Sequence, residues 1–247
     1  MAVTVDPLAP LLELPGVAAA VQQARDAVAG VHRHPTNRRG WPASAAEASV
    51  RAARASAALD GARAELPADG LVSEPVLAGA LRVAEELGRL LPVWRSAPLQ
   101  ALARLHVLAA ADLVTDPDGV GRPRAVPGLA SRLDTLGHLV GGGSTVAAPV
   151  LVAVVHGELL ALRPFGTGDG VVARAAAKLT ALASGLDPKG LAMPEVGHFR
   201  RAAEYRAAAA DFASGSREGL ARWLLHCCWA WELGAKEAET IATAAAG

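Results

Sequence analysis

The chain has 247 residues, with 24 lysines and arginines against 24 aspartates and glutamates, so bulk charge recruits neither nucleic acid nor an anionic membrane. It is 52% hydrophobic, only 4% aromatic and carries two cysteines. Much of the apolar content is alanine, the strongest helix former, which points to an all-α protein. The length suits one generous domain or two small ones. Cys227 and Cys228 are adjacent, cannot form a useful staple, and suggest a reducing compartment. Residues 1–7 lack the basic and apolar regions of a secretion signal. The longest apolar run, 145–162, is interrupted by Pro149, His156 and Glu158 and reads as a buried core helix. The expectation is a soluble cytoplasmic protein.

In chain order, residues 13–31 carry apolar positions at helical spacing and end at a turn-rich break, 33–42. Ser44, with Glu47 three residues on, is placed to cap a second helix that stops near Asp60-Gly61. A third helix spans 75–91 and should end at Pro92. Pro98 opens a fourth, to about residue 114. The proline- and glycine-rich stretch 115–128 is loop, with a short hairpin expected over 120–126. An amphipathic helix, 129–140, is followed by Gly141-Gly142-Gly143 and by Ser144 as N-cap. The core helix 145–162, a glycine loop and a helix over 171–184 form one helix–loop–helix unit. A turn at 185–190 leads to closing helices 193–213 and 217–245. The break near 95–98 divides an N-terminal helical region, 1–95, from a core, 96–247, though neither part looks independent.

The loop Arg163-Pro164-Phe165-Gly166-Thr167-Gly168-Asp169-Gly170, running on to Arg174, carries the functional argument. Three glycines opening into a helix present backbone N–H groups at the positive end of its dipole, a seat for phosphate. The segment resembles the signature of the Fic family, His-Pro-Phe-x-Asp/Glu-Gly-Asn-Gly-Arg-x-x-Arg, whose members transfer AMP from ATP to protein hydroxyls. Pro164, Phe165, Gly168, Gly170 and Arg174 match. Arg163 stands at the family's His, Thr167 at its acid, Asp169 at its Asn and Val171 at its first Arg. The resemblance extends over roughly residues 45–235. It takes in the helix carrying His156, the flap-like 121–126, and the closing segments around Tyr205 and Trp223 to Trp231. Ser56, Asp60 and Gly61 resemble the upstream inhibitory motif Ser/Thr-x-x-x-Glu-Gly.

The resemblance implies an all-α Fic-like bundle with a β-hairpin flap behind packed N-terminal helices. It also implies a degenerate site. Guanidinium stays protonated, so Arg163 cannot serve as the general base, a loss costing about 10²–10⁴ in rate. Thr167 is a poor magnesium ligand, Val171 removes a clamp charge and Asp169 puts a negative charge in an anion cradle. Two readings stay open. One is a pseudoenzyme with a regulatory or scaffolding role for a protein partner. It would have no catalytic residue, and could hold ATP, another nucleotide or phosphate at Arg163, Gly166, Thr167, Gly168, Asp169, Gly170 and Arg174. The other is an AMP- or phosphoryl-transferase acting on protein hydroxyls, with Asp169 as the magnesium ligand if any metal is held. In either, Asp60 is expected within salt-bridge distance of Arg174.

The residues also carry plainer expectations. His106 and His156 read as hydrogen-bonded core histidines, and Trp223, Trp229 and Trp231 as core anchors. The group His32, Arg33, His34, Arg38 and Arg39 reads as a solvated loop that could attract an acidic partner. No His or Cys spacing suggests zinc.

Overall fold

A computed structural model describes residues 6–67, 70–115 and 119–245, and these are helical nearly throughout, with no strand among them. The elements are α1 Val17–Arg33, α2 Pro35–Arg39, α3 Trp41–Leu59, α4 Pro75–Ser96, α5 Pro98–Ala110 and α6 Leu129–His138. They continue with α7 Ala148–Leu162, α8 Asp169–Ala183, α9 Pro194–Arg200, α10 Ala202–Ala213 and α11 Arg217–Ala244. A 3-10 turn, Ala9–Glu13, precedes α1, and a π turn, Leu139–Gly143, extends α6.

Helices α7 and α8 occupy the centre. The apolar residues of α7 wrap nearly all its circumference, as expected of a helix with no solvent face. In α8, Asp169 and every residue from Val171 to Ala181 are buried. One apolar cluster packs α1, α10 and α11 against α7, and a second packs α4, α5 and α6 against α8, with α3 contributing to both. Each cluster therefore draws on helices from before and after residue 95.

Several local expectations need correction. Pro92 does not end α4, which runs on to Ser96. The Ser96 hydroxyl donates to the Pro92 carbonyl, a local bond within that last turn. Ser44 caps nothing: α3 starts at Trp41, on Pro42, and the Ser44 hydroxyl is buried inside it without a partner. Ser144 is not the N-cap of α7; it bonds the Asp6 carboxylate instead. Residues 35–39, read as loop, form a short helix, and the closing helix 193–213 breaks at Arg201 into α9 and α10. Trp223 and Trp231 are core, whereas Trp229 is half-buried beneath the Arg201 guanidinium, 3.9 Å from its ring centre.

The expected hairpin is absent among the described residues 119–126. That segment is held by single contacts. Gly121 N–H donates to His106 Nδ1 at 2.8 Å, and Arg124 N–H donates to the Pro164 carbonyl at 2.8 Å. The Arg124 side chain donates to the carbonyls of Arg163 and Leu162, capping the end of α7 with a cation. One side of the segment is thus tied to the glycine loop, and no partner strand is needed.

No described helix is long and apolar enough to cross a membrane.

Candidate functional site

The glycine loop joins the C-terminus of α7 to the N-terminus of α8. Arg163 ends α7 in the left-handed region, at φ 45°, alone among the described non-glycine residues. That conformation turns the chain sharply and leaves its side chain exposed. Gly166 (φ 83°) and Gly168 (φ 65°) supply the next two left-handed steps, with Thr167 between them. Phe165 points inward and stacks on the His106 imidazole, ring centres 4.1 Å apart and nearly parallel.

The chain fills this cradle with its own carboxylates. Asp169 Oδ1 accepts the Phe165 N–H at 2.9 Å, and the Gly166 N–H also faces it. Asp60 reaches from the end of α3 and lies over Gly170, where a Cβ would collide with both of its carboxylate oxygens. Its Oδ2 is 2.8 Å from Arg174 Nη2. Arg174, almost wholly buried, directs three further donors to Ser56 Oγ (2.8 Å), the Ser56 carbonyl (2.9 Å) and the Tyr205 hydroxyl (3.3 Å). The contact expected between Asp60 and Arg174 is present, and Ser56 belongs to the same knot. Gly61 follows, at φ 89°, where α3 ends.

Around Asp169 the electrostatics are unusual. Burial raises its pKa, opposed by the Phe165 and Gly166 N–H groups and by Arg163. Its Oδ2 is buried with no hydrogen-bond partner, and Arg163 Nε lies 4.0 Å from it. Nearby, His106 Nε2 is also buried, with no hydrogen bond of good geometry; burial lowers the His106 pKa, opposed by the Asp169 charge and by the Thr167 backbone that faces the ring. Magnesium requires near-octahedral oxygen ligands. Here the only carboxylate on the loop already accepts a backbone proton and sits beside a guanidinium. No group of three metal-type side chains occurs among the described residues. Asp169, with Oδ2 free of hydrogen bonds, is the one loop carboxylate that could meet a nucleotide-bound magnesium.

Behind Arg174 lies a polar cluster that the sequence does not announce. Arg174 can only donate to Tyr205, which leaves the Tyr205 proton for His156 Nε2, 2.9 Å away. His198 Nδ1 and His226 Nε2 are 3.0 Å apart, so one ring donates, the other accepts, and both cannot be protonated. Burial drives His156 and His198 well below the usual histidine range, with Arg174 and the neighbouring imidazoles adding to it. It lowers His226 to about 4 and raises Tyr205 to about 12. One turn beyond Arg174, Lys178 pairs with the fully buried Asp187 at 3.2 Å. Asp187 also accepts from the Leu191 and Ala192 N–H groups and meets His32 at 2.9 Å. The one available signal was a lysine four residues after Arg174 in an Ala/Leu-rich helix.

No model of a known family and no curated protein matches the sequence. Among solved structures, the crystal structure of a Fic family protein from Desulfovibrio desulfuricans G20 is similar with a TM-score of 0.72. The two are 18% identical over 92% of this chain and 74% of the other, a likeness of fold.

Proposed function

We propose that this Fic-fold chain is a pseudoenzyme, without AMP-transfer activity, that serves as a regulatory or scaffolding protein. The observation that carries the reading is the double occupation of the cradle. Asp169 takes a loop N–H group and Asp60 takes Arg174, the two features that would hold a phosphate. A nucleotide would have to displace both carboxylates from a site with no imidazole at position 163 and no acid at 167.

The test is incubation with labelled ATP, Mg²⁺ and cell lysate. The expected result is no label above background on the chain or any other protein, for the natural sequence and for Arg163→His alike. Arg163→His leaves Thr167, Val171 and the two seated carboxylates in place, so it restores only one of the missing parts. Robust labelling by the natural chain overturns the reading.

A second reading has one observation of its own: Asp169 Oδ2 and His106 Nε2 both lack a hydrogen bond of good geometry beside Phe165. A buried acid and imidazole with shifted pKa values can exchange protons with a substrate. In that reading the chain is a nucleotidyl- or phosphotransferase with a rearranged site. Labelling that is lost in both His106→Gln and Asp169→Asn would favour it.

A further inference from the structure

A cleft of about 790 Å³ is lined by residues of α1 and α4, at the end of the central helix pair α7–α8 opposite the glycine loop. It lies within the roughly 300–1,000 Å³ spanned by small-molecule pockets. None of its lining residues belongs to the glycine loop, to α3 or to the knot around Arg174. The start of α7 and the end of α8 both reach it. Their dipoles bring a positive and a negative end side by side and largely cancel, so neither helix end sets the sign of what binds. Trp94, Leu139, Val146 and Leu151 give the lining an apolar stretch.

Side chains set that sign instead. The ionisable groups on the lining are Arg25, from α1, and Arg95, from the last turn of α4. Both are exposed, and neither pairs with a carboxylate among the described residues. The hydroxyls on the lining have their protons committed: Ser144 and Thr145 donate to Asp6, Thr180 to the Ala176 carbonyl and Ser184 to the Ala181 carbonyl. Asp6, at the edge, already accepts from the Leu8 and Thr145 N–H groups and from both of those hydroxyls. The cleft therefore offers two planar forks of N–H donors, each matched to a carboxylate or phosphate, and no acid on its lining. In a chain with 24 charges of each sign, that is a local excess of positive charge. A cation is repelled by both arginines, and a neutral ligand leaves their donors to water. Because both arginines are exposed, an anion meets them without the full desolvation cost that weighs on buried ions.

We propose that this cleft binds a small ligand carrying two oxyanion groups, one held by Arg25 and the other by Arg95, so that it bridges α1 and α4. The site is independent of the glycine loop and of whether the chain transfers AMP.

Calorimetric titration of the full chain at low ionic strength tests it, with glutarate, pyrophosphate, acetate, inorganic phosphate and 1,5-diaminopentane as probes. Glutarate or pyrophosphate should bind about fivefold more tightly than its one-group counterpart, acetate or phosphate, the upper worth of one exposed ion pair. Which of the two gains more tells a carboxylate ligand from a phosphate ligand. The diamine, matched to glutarate in length, should not bind. Arg25→Gln and Arg95→Gln should each erase the fivefold advantage, and both are surface changes that leave the fold intact. Arg104→Gln removes the same charge from an exposed position on α5 and should change nothing. Binding of neither two-group anion, equal binding of the diamine, an advantage that survives Arg25→Gln or Arg95→Gln, or an equal loss in Arg104→Gln overturns the proposal.

Discussion

At the scale of single residues, the most informative feature is that Asp60 and Arg174 meet. The Arg174 guanidinium is nearly inaccessible, whereas the Asp60 side chain is 26% exposed, so the pair is neither a surface bridge nor a sealed one. Removing the carboxylate leaves a buried cation that still bonds Ser56 and Tyr205. Asp60→Ala should therefore cost about 1–3 kcal/mol, below the figure for orphaning a fully buried charge. Gly170→Ala reaches the same result from the other side, because its Cβ displaces the Asp60 carboxylate. Urea denaturation of both variants checks this. Titration with ATP, ADP and AMP adds a second readout, since freeing Arg174 should strengthen whatever nucleotide affinity the chain has. Asp60→Ala with unchanged stability and unchanged nucleotide affinity would show that the contact organises nothing.

At the scale of elements, the bundle depends on close helix crossings at small residues. A Cβ at Gly234 of α11 would lie 2.5–2.7 Å from the backbone of Met193 and Pro194, and one at Gly197 of α9 would lie 2.8 Å from the Ala230 Cα. Backbone cannot move aside as a side chain can. Gly234→Ala should gain the usual helix-propensity benefit of about 1 kcal/mol and lose more to the clash, for a net destabilisation of about 1–3 kcal/mol. Gly88→Ala on α4 is the control, because its Cβ enters open space and the propensity gain should stand alone. Chemical denaturation of the two variants should move in opposite directions. A stabilised Gly234→Ala would mean that α9 and α11 can separate without loss.

For the whole molecule, four buried histidines, His106, His156, His198 and His226, give stability a pH dependence. Their folded-state pKa values lie below the unfolded value near 6.5, so above 6.5 neither state binds the proton and the fold is at full strength. As pH falls below 6.5 the unfolded chain takes up protons that the folded one refuses. Stability then drops by about 1.4 kcal/mol per pH unit for each excluded histidine, down to about pH 4, where His226 itself titrates in the fold. Around His226 the charges of Glu204 and Arg201 oppose each other. Glu195 and Asp169 act with the opposite sign, because burial raises their pKa values and their contribution is lost as pH rises through them. Denaturation at pH 7.5, 6.5, 5.5 and 4.5 should show a decline that is shallower in His226→Gln. A flat profile would mean that the histidine cluster is solvated.

What the sequence by itself determined was the class of fold and the location of the loop. Alanine-rich helical periodicity, glycine at 166 and 168 and the partial match around Pro164 and Phe165 are local signals, and local signals survive in a one-dimensional string. The end of α3 at Asp60-Gly61 was legible for the same reason. Apart from the Asp60–Arg174 contact, tertiary structure decided what depends on which helix faces which. It passed α4 straight through Pro92, left Ser44 inside a helix, and held residues 119–126 by contacts to His106 and the glycine loop rather than as a hairpin. It also turned Asp187, part of an ordinary turn in the sequence, into a buried partner for Lys178 and His32. The loop reads as an anion seat because backbone N–H groups and a helix dipole follow from sequence order. The pairing of Asp60 with Arg174 was legible only through the family resemblance; that the Asp60 carboxylate also lies over Gly170, 109 positions before Asp169 though it is, follows from how α3 packs against α8.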